Sequence, residues 1–248
     1  MPESALGLPS GIVAVLFDLD GVLTSTAEQH RRAWKQTFDD FLRARDGEDF
    51  TPFTDADYLN HVDGRPRFEG VREFLESRGI ALPDGKPDDP PGHDTMHALG
   101  NLKNELLGSI IDRDGVSTYP GSLRYVHAVR DAGLPIGVVT SSANAARVLD
   151  AAGLTPFVDA RIDGEVIVRE GLRGKPAPDS FLAGAQALGV DPSRTAVFED
   201  ALAGVRAGRA GGFGYVVGVD RANQAAALAE HGADVVVEDL ADLLAPQR

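Results

Sequence analysis

An apolar run that ends in two aspartates constrains this chain more than any other feature. Residues 12–17 read Ile-Val-Ala-Val-Leu-Phe, and Asp18-Leu19-Asp20-Gly21 follow directly. A short, continuously apolar run predicts a strand buried on both faces of a parallel sheet, and Gly21 lets the chain turn away afterwards. The functional sites of such sheets lie beyond the carboxyl ends of the strands. Two carboxylates buried there need a cation or a proton, although most Asp-x-Asp pairs are helix caps or surface turns.

Helix-like and strand-like segments alternate after residue 119, which is typical of a parallel sheet. Helices are predicted at 122–132, 144–152, 179–188 and 201–210, and strands at 135–140, 195–198, 214–219 and 234–237. We therefore predict an α/β fold with a doubly wound parallel (Rossmann-like) sheet.

A helical insertion is expected between the first strand and the rest of that sheet. Helical spacing covers 28–41 and 97–111, and a second helical region, 54–79, is broken at Asp63-Gly64-Arg65-Pro66-Arg67. Gly64 and Pro66 predict a loop that presents two arginines. Residues 83–92 are too rich in proline and acids for a helix or a central strand. The predicted division is a core of 1–25 plus 115–248 and a helical cap domain of 26–114.

Composition limits the partners of the chain. The 248 residues carry a formal net charge of −14, which argues against nucleic acid or an anionic membrane as a partner. The absence of cysteine excludes disulfides and thiol chemistry. The N-terminal residues lack signal-peptide character, and no apolar run approaches the ~20 residues of a membrane span. We expect a cytoplasmic protein.

Three later segments bring polar groups to predicted strand ends. Thr140, Ser141, Ser142 and Asn144 follow a strand, where they can donate hydrogen bonds to a phosphate or simply cap a helix. Lys175 lies in Gly174-Lys175-Pro176-Ala177-Pro178, whose prolines fix the backbone around it. Glu199 and Asp200 end a further strand, although acids at helix starts are often only caps.

These groups together predict a site of hard oxygen ligands. Mg²⁺ would be bound by Asp18, Asp200, the backbone carbonyl of Asp20, and Glu199 or water. Four carboxylates in one place need both the metal and Lys175 to stay ionised. Lys175 would also neutralise charge on a phosphoryl group in the transition state.

The same segments resemble a known family. Phe17-Asp18-Leu19-Asp20-Gly21-Val22-Leu23-Thr24 is similar to the first motif of the haloacid dehalogenase superfamily of aspartate-nucleophile phosphotransferases, and the later motifs match in order and spacing. The resemblance implies Asp18 as nucleophile and Asp20 as general acid/base. It implies Thr140 and Lys175 as contacts of the transferring phosphoryl group, and Glu199 and Asp200 as metal-site acids.

Within that superfamily the insertion resembles the cap of the β-phosphoglucomutase family. Residues 26–35, Thr-Ala-Glu-Gln-His-Arg-Arg-Ala-Trp-Lys, look like the opening of that cap. The resemblance implies that Arg67 binds the far phosphate of a bisphosphorylated sugar and that His30 and Lys103 couple sugar arrival to activation of Asp20. The predicted substrate-binding residues are His30, Trp34, Gly64, Arg65, Arg67, Lys103, Ser141, Ser142 and Asn144.

Two positions depart from the family pattern. Ser25 stands where Asp is frequent, and Ala143 stands where the β-phosphoglucomutase family has a lysine near the far phosphate. Arg65 or Arg147 is a candidate replacement for that lysine. These departures bear on substrate identity more than on reaction type.

Two functions remain open on this basis. The first is a Mg²⁺-dependent mutase of carbohydrate metabolism, in which a phosphoprotein intermediate interconverts β-glucose 1-phosphate and glucose 6-phosphate through the 1,6-bisphosphate. The second is a sugar-phosphate or phosphoglycolate phosphatase of the same fold. A dehalogenase would not need Asp20, Glu199 and Asp200, and an inactive binding protein would be expected to have lost an acid. We expect a monomer that binds a small phosphorylated sugar.

Overall fold

A parallel sheet lies at the centre of the larger part of the protein. The computed structural model describes residues 5–244, and within this range the sheet has six strands. The strands are β1 (Ala14–Phe17), β2 (Ile136–Val139), β3 (Ala160–Ile162), β4 (Thr195–Glu199), β5 (Tyr215–Val219) and β6 (Val235–Val237). Their spatial order is β3-β2-β1-β4-β5-β6, and every pair is parallel. This is the order of a Rossmann-like sheet, so the predicted fold class is confirmed.

The register aligns the carboxyl ends of the central strands. Phe17 of β1 pairs with Val138 of β2 and with Phe198 of β4. The residues that follow these three positions therefore emerge at the same edge of the sheet. This edge is the reversal point of the strand order, where ligands of such sheets bind.

Successive strand residues point to opposite faces of the sheet, and helices cover both faces. Leu16 packs in an apolar cluster with Phe181 and Val205, whereas Phe17 contacts Phe198 and Tyr125. Burial on both sides explains the continuous apolar run seen in the sequence. The helices of this part are α5 (Pro120–Asp131), α6 (Ala145–Ala151), α7 (Gly164–Glu170), α8 (Asp179–Leu188), α9 (Leu202–Ala210) and α10 (Ala225–Glu230).

The insertion forms a second compact unit, Thr26–Gly115, while the first unit holds the described residues of Met1–Ser25 and Val116–Arg248. The helices of the second unit are α1 (Thr26–Asp46), α2 (Asp55–Asp57), α3 (Arg67–Ser77) and α4 (Met96–Asp114), with a π-helical turn at Tyr58–Val62. Its core is aromatic: Phe38 stacks on Trp34 at 5.1 Å between ring centres and packs against Phe74 at 4.2 Å. None of the helices described between residues 5 and 244 is long and apolar enough to cross a membrane.

Most predicted elements are present with small shifts at their ends. β1 begins at Ala14 rather than Ile12, and α5 begins at Pro120 rather than Ser122. Proline favours the first turn of a helix, because the missing N–H has no intrahelical partner there. The prediction missed β3, α7 and α10, which have only three, seven and six residues.

Candidate active site

Lys175 lies at the centre of a buried charge cluster beyond the strand ends. Its side chain is fully buried, and Nζ donates hydrogen bonds to Asp18 Oδ1 at 2.7 Å and to Glu199 Oε1 at 2.6 Å. Nζ also donates to the Val139 carbonyl at 3.0 Å and lies 4.6 Å from the centre of the Phe181 ring. One lysine thus connects the carboxyl ends of β1, β2 and β4.

The protonation of this cluster follows from burial and from its unequal charges. Burial raises the pKa of the Asp18 carboxyl well above its ordinary value; Lys175 opposes this rise, and the carboxylates of Glu199 and Asp20 reinforce it. Burial lowers the pKa of Lys175, but the charges of Asp18 and Glu199 outweigh burial and raise that pKa overall. Lys175 therefore stays protonated, and one ammonium faces more carboxylate than it can neutralise.

Three acidic residues beside Lys175 could hold a cation. Asp18, Glu199 and Asp200 each offer a carboxylate oxygen, and these oxygens lie within 4.8 Å of one another. All three residues are buried, and all three donors are hard oxygens. Hard oxygens carrying excess negative charge are the ligands that divalent cations of the magnesium type prefer, so the residues fit such an ion.

Two glycines make room for the acids. Gly21 has φ +91°, and a Cβ there would collide with the Asp200 carboxylate. A Cβ on Gly204 would collide with the carboxylate of Glu199, whose Oε2 also accepts a hydrogen bond from the Ala201 N–H at 2.9 Å. The turn after β1 and the start of α9 therefore depend on residues without a side chain.

Asp20 lies beside the hydroxyl that follows β2. The Thr140 hydroxyl donates to Asp20 Oδ2 at 3.2 Å, and the Ser142 N–H donates to that hydroxyl at 3.1 Å. Asn144 occupies the N-cap position of α6 without capping it through its side chain, and its N–H donates to Ser142 Oγ at 3.2 Å. Ser141 lies between Thr140 and Ser142 and is half-buried. The structure thus brings Asp18, Asp20, Thr140, Lys175, Glu199 and Asp200 together in one unit.

Three predicted residues of the insertion also come together. Lys103 is buried; its Nζ lies 3.1 Å from His30 Nδ1 and 4.8 Å from the centre of the Trp34 ring. A buried ammonium has few ways to be stabilised, and here an imidazole nitrogen and an aromatic face surround it. The helices α1 and α4 hold this group.

Both arginines of 63–67 were predicted in a loop, but Arg67 begins α3, and the two arginines point to different partners. Arg65 forms an ion pair with Glu73 at 3.5 Å, and the preceding Gly64 has φ +72°. Arg67 Nη2 donates to Asn101 Oδ1 at 3.0 Å, and its guanidinium lies over the Phe68 ring at 4.5 Å. Arg65 thus contacts a carboxylate, whereas Arg67 contacts an amide and an aromatic ring. The two arginines therefore differ as candidate anion-binding groups.

Asn101 is a residue that the sequence reasoning missed. Its Nδ2 donates to the carbonyls of Pro87 and Asp89 at 3.0 and 2.8 Å, while its Oδ1 accepts from Arg67. Asn101 therefore joins the proline-rich loop to Arg67. An asparagine within a helix gives no sequence signal for such contacts.

Comparison with known proteins places the chain in a family. Residues 12–212 match the sequence model of the haloacid dehalogenase-like hydrolases. The chain belongs to this family.

Its relatives within the family include mutases and a phosphatase. The chain is 55% identical over 246 residues to a β-phosphoglucomutase of Mycobacterium tuberculosis (strain CDC 1551 / Oshkosh), covering 96% of this chain and 94% of the relative. It is 30% identical to validoxylamine A 7'-phosphate phosphatase of Streptomyces hygroscopicus subsp. limoneus, covering 93% and 95%. The crystal structure of a β-phosphoglucomutase from Clostridium difficile is similar with a TM-score of 0.74 and 26% identity, covering 94% and 93%.

Proposed function

We propose that this protein is a Mg²⁺-dependent β-phosphoglucomutase, which interconverts β-glucose 1-phosphate and glucose 6-phosphate through an aspartyl phosphate and a 1,6-bisphosphate. The observation that carries the proposal is the buried cluster of Asp18, Lys175, Glu199 and Asp200 at the reversal point of the sheet. The 55% identity to a β-phosphoglucomutase over nearly the whole chain supports the choice of substrate.

The proposed chemistry starts at Asp18. A carboxylate oxygen of Asp18 attacks phosphorus in line, and the bond from phosphorus to the sugar oxygen breaks. Asp20, which accepts a hydrogen bond from Thr140, gives its proton to that leaving oxygen. The resulting Asp20 carboxylate then takes the proton of the next acceptor hydroxyl, which attacks the aspartyl phosphate and releases Asp18.

Charge stabilisation falls to the residues around the nucleophile. Lys175, already 2.7 Å from Asp18 Oδ1, is positioned to balance charge on the phosphoryl oxygens. Mg²⁺, held by Asp18, Glu199, Asp200 and the Asp20 carbonyl, would act as a Lewis acid toward those oxygens when bound. The residues Thr140, Ser141, Ser142 and Asn144 supply hydrogen-bonding groups near the same strand end.

The insertion is proposed to select the acceptor. A mutase must bind a phosphorylated sugar by its far phosphate and keep water from the aspartyl phosphate. We assign sugar and phosphate binding to Arg67 and to the group of His30, Trp34 and Lys103, in which the Lys103 ammonium is buried. The two compact units support the proposed division into core and cap.

A sugar-phosphate phosphatase is the second candidate. Ala143 stands where the mutase family has a lysine, and a phosphatase is among the relatives. If water rather than a sugar hydroxyl reached the aspartyl phosphate, the same core residues would perform hydrolysis.

One incubation separates the two candidates. The protein is mixed with Mg²⁺, β-glucose 1-phosphate and a trace of glucose 1,6-bisphosphate, and glucose 6-phosphate and free phosphate are both followed over time. We expect glucose 6-phosphate without matching phosphate release, and no product with Asp18→Asn. Free phosphate as the main product would overturn the mutase in favour of the phosphatase.

We further propose a cytoplasmic monomer without a nucleic-acid partner. The net charge of −14 disfavours polyanions. Among the described residues, the large hydrophobic side chains that are exposed are Val168 and Leu182, which are too few for an extensive apolar interface. Light scattering coupled to gel filtration should give the mass of one chain, and a dimer mass would contradict this.

A further inference from the structure

A self-contained turn follows β5 at residues 220–224. Asp220 Oδ1 accepts hydrogen bonds from the N–H groups of Ala222 and Gln224 at 3.2 and 2.8 Å, and Oδ2 accepts from Ala225 at 3.2 Å. Asn223 has φ +56°, a left-handed conformation that costs energy for a residue other than glycine. Such a conformation persists where the surrounding contacts over-determine it. The 220–224 turn is therefore a fixed element.

Arg221 extends from this turn to the loop that carries Asp20. Its Nε donates to the Gly21 carbonyl at 2.9 Å, and its Nη1 donates to the Glu238 carbonyl at 2.6 Å. The guanidinium lies 3.7 Å from the centre of the Tyr119 ring, which fixes its plane. β4 lies between β1 and β5 in the sheet, so the Arg221 side chain spans β4 to reach the Gly21 carbonyl.

Gln224 extends from the same turn to Asp200. Its Nε2 donates to the backbone carbonyl of Asp200 at 3.0 Å. The two residues held in this way touch each other, since a Cβ on Gly21 would overlap the Asp200 carboxylate. One turn thus holds both partners of this close contact in the site.

We propose that Arg221 and Gln224 are positioning residues, which fix the Asp20 loop and Asp200 relative to each other through the Gly21 and Asp200 carbonyls. Neither side chain takes part in the chemistry. Arg221 keeps the backbone next to Asp20 in place, so that the Asp20 carboxyl meets the leaving oxygen. Gln224 keeps the backbone of Asp200 in place, so that its carboxylate meets the cation. The proposal rests on the proposed roles of Asp20 and Asp200.

Arg209 provides a matched control. Its Nε also donates to a glycine carbonyl, that of Gly232 at 3.1 Å, and its Nη2 binds Asp234 at 2.6 Å. It lies on α9 and makes no contact with the residues of the candidate site in these hydrogen bonds. An arginine that only stabilises the fold should behave like Arg209.

The first test compares leaving groups in a single turnover. Phosphorylation of the protein by glucose 1,6-bisphosphate requires a proton on the departing sugar oxygen, whereas acetyl phosphate releases acetate, which needs none. Arg221→Met should slow phosphorylation by the bisphosphate about 10- to 100-fold, as expected for a displaced catalytic group, with the half-saturating bisphosphate concentration changed by less than about 3-fold. Phosphorylation by acetyl phosphate should stay within about 3-fold of Arg209→Met.

The rescue variant keeps the test falsifiable if Arg221→Met does not fold. Arg221→Lys retains a donor for the Gly21 carbonyl and should recover part of the lost rate with the bisphosphate. Equal losses with both phosphoryl donors, or an Arg221→Met variant that matches Arg209→Met with both, would overturn the proposal for Arg221.

The second test uses stability rather than turnover. Mg²⁺ should raise the melting temperature of the wild type, because it binds the folded state. Gln224→Ala should raise the Mg²⁺ concentration needed for half of that shift several-fold, about 3- to 10-fold, while Gln186→Ala, an exposed glutamine on α8, should not. An unchanged Mg²⁺ dependence in Gln224→Ala would overturn the proposal for Gln224. If the proposed function is wrong, the wild type itself will lack the expected phosphorylation and Mg²⁺ response. If only this proposal is wrong, the wild type will respond as expected and the variants will not differ from their controls.

Discussion

At the scale of single residues, the site depends on one ammonium shared by two carboxylates. Lys175 is fully buried against Asp18 and Glu199, both within hydrogen-bond distance. Removing one member of a buried ionic group leaves its partners without compensation, which costs more than the intact group contributes. The contact of Lys175 with Asp18 thus matters both for stability and for the charge at the proposed nucleophile.

Lys175→Met is expected to impair both stability and activity. The uncompensated Asp18 and Glu199 should lower the free energy of unfolding by about 3–5 kcal/mol. Turnover should fall by at least about 100-fold, since a charge-stabilising donor is lost. Chemical denaturation and the mutase assay measure the two effects.

Lys35→Met is the control for this substitution. Lys35 is half-exposed and donates to the Asp39 carboxylate and to the Phe53 carbonyl, so its loss should cost about 1 kcal/mol. A Lys175 variant as stable as the Lys35 variant would contradict the account of the buried cluster.

At the scale of secondary-structure elements, the sequence pattern predicted those strands and helices that the local sequence determines. The apolar run of β1 and the amphipathic α8 were foreseen, α8 with the observed bounds Asp179–Leu188. The convergence of Asp18 and Asp200 followed from their places at the ends of β1 and β4, whereas Lys175 lies in the loop before α8 rather than at a strand end. β3 was missed because its three residues, Ala160–Ile162, include one isoleucine and lie at the sheet edge.

Contacts between distant segments could not be predicted in this way. Arg221 meets the Gly21 carbonyl across 200 positions of sequence, and Asn101 meets Arg67 across 34. Both depend on where a backbone carbonyl or a side chain ends up after folding. Neither leaves a periodic or compositional trace.

The start of α2 gives a prediction about pH. Thr54 and Asp57 form a capping box, and the Asp57 carboxylate also accepts from Arg78 at 2.7 Å. Although burial raises the pKa of Asp57, its hydrogen bonds to Thr54 and Arg78 lower that pKa overall. The stabilisation is therefore present above the unfolded-state pKa of about 3.9 and is lost as the pH falls through the lower folded-state value.

Asp57→Asn should lower the free energy of unfolding by about 1 kcal/mol at neutral pH, because the cap and ion pair are weakened. The difference from wild type should shrink as the pH falls below about 4. Asp55→Asn is the control, since Asp55 is exposed and 3.9 Å from Arg31. A difference that stays constant down to acid pH would refute this assignment.

At the scale of the whole molecule, the two compact units carry separate parts of the proposed reaction. The first holds the phosphoryl-transfer residues, and the second holds Arg67 and the His30–Lys103 pair. A reaction that needs only a phosphate ester and water should depend on the first unit alone. A mutase reaction should depend on both.

Arg67→Ala tests this division of labour. Loss of charge-assisted hydrogen bonds to a far phosphate should lower mutase kcat/KM by about 10- to 100-fold. Hydrolysis of a simple phosphate ester should change by less than about 3-fold, because such an ester has no second phosphate.

Arg72→Ala is the matched control on the same helix, where Arg72 pairs with Asp84 at 2.7 Å. It should leave both rates near those of the wild type. Equal losses of both activities in Arg67→Ala would mean that Arg67 does not bind a far phosphate.

The most direct measurement traces the phosphoryl group itself. The protein is mixed with Mg²⁺ and radiolabelled glucose 1,6-bisphosphate, quenched in acid and digested, and the labelled peptide is sequenced. We predict acid-stable, base-labile label on Asp18, absent from Asp18→Asn and retained in Arg209→Met. Label at any other residue, or none in a protein that still forms glucose 6-phosphate, would contradict the aspartyl-phosphate account.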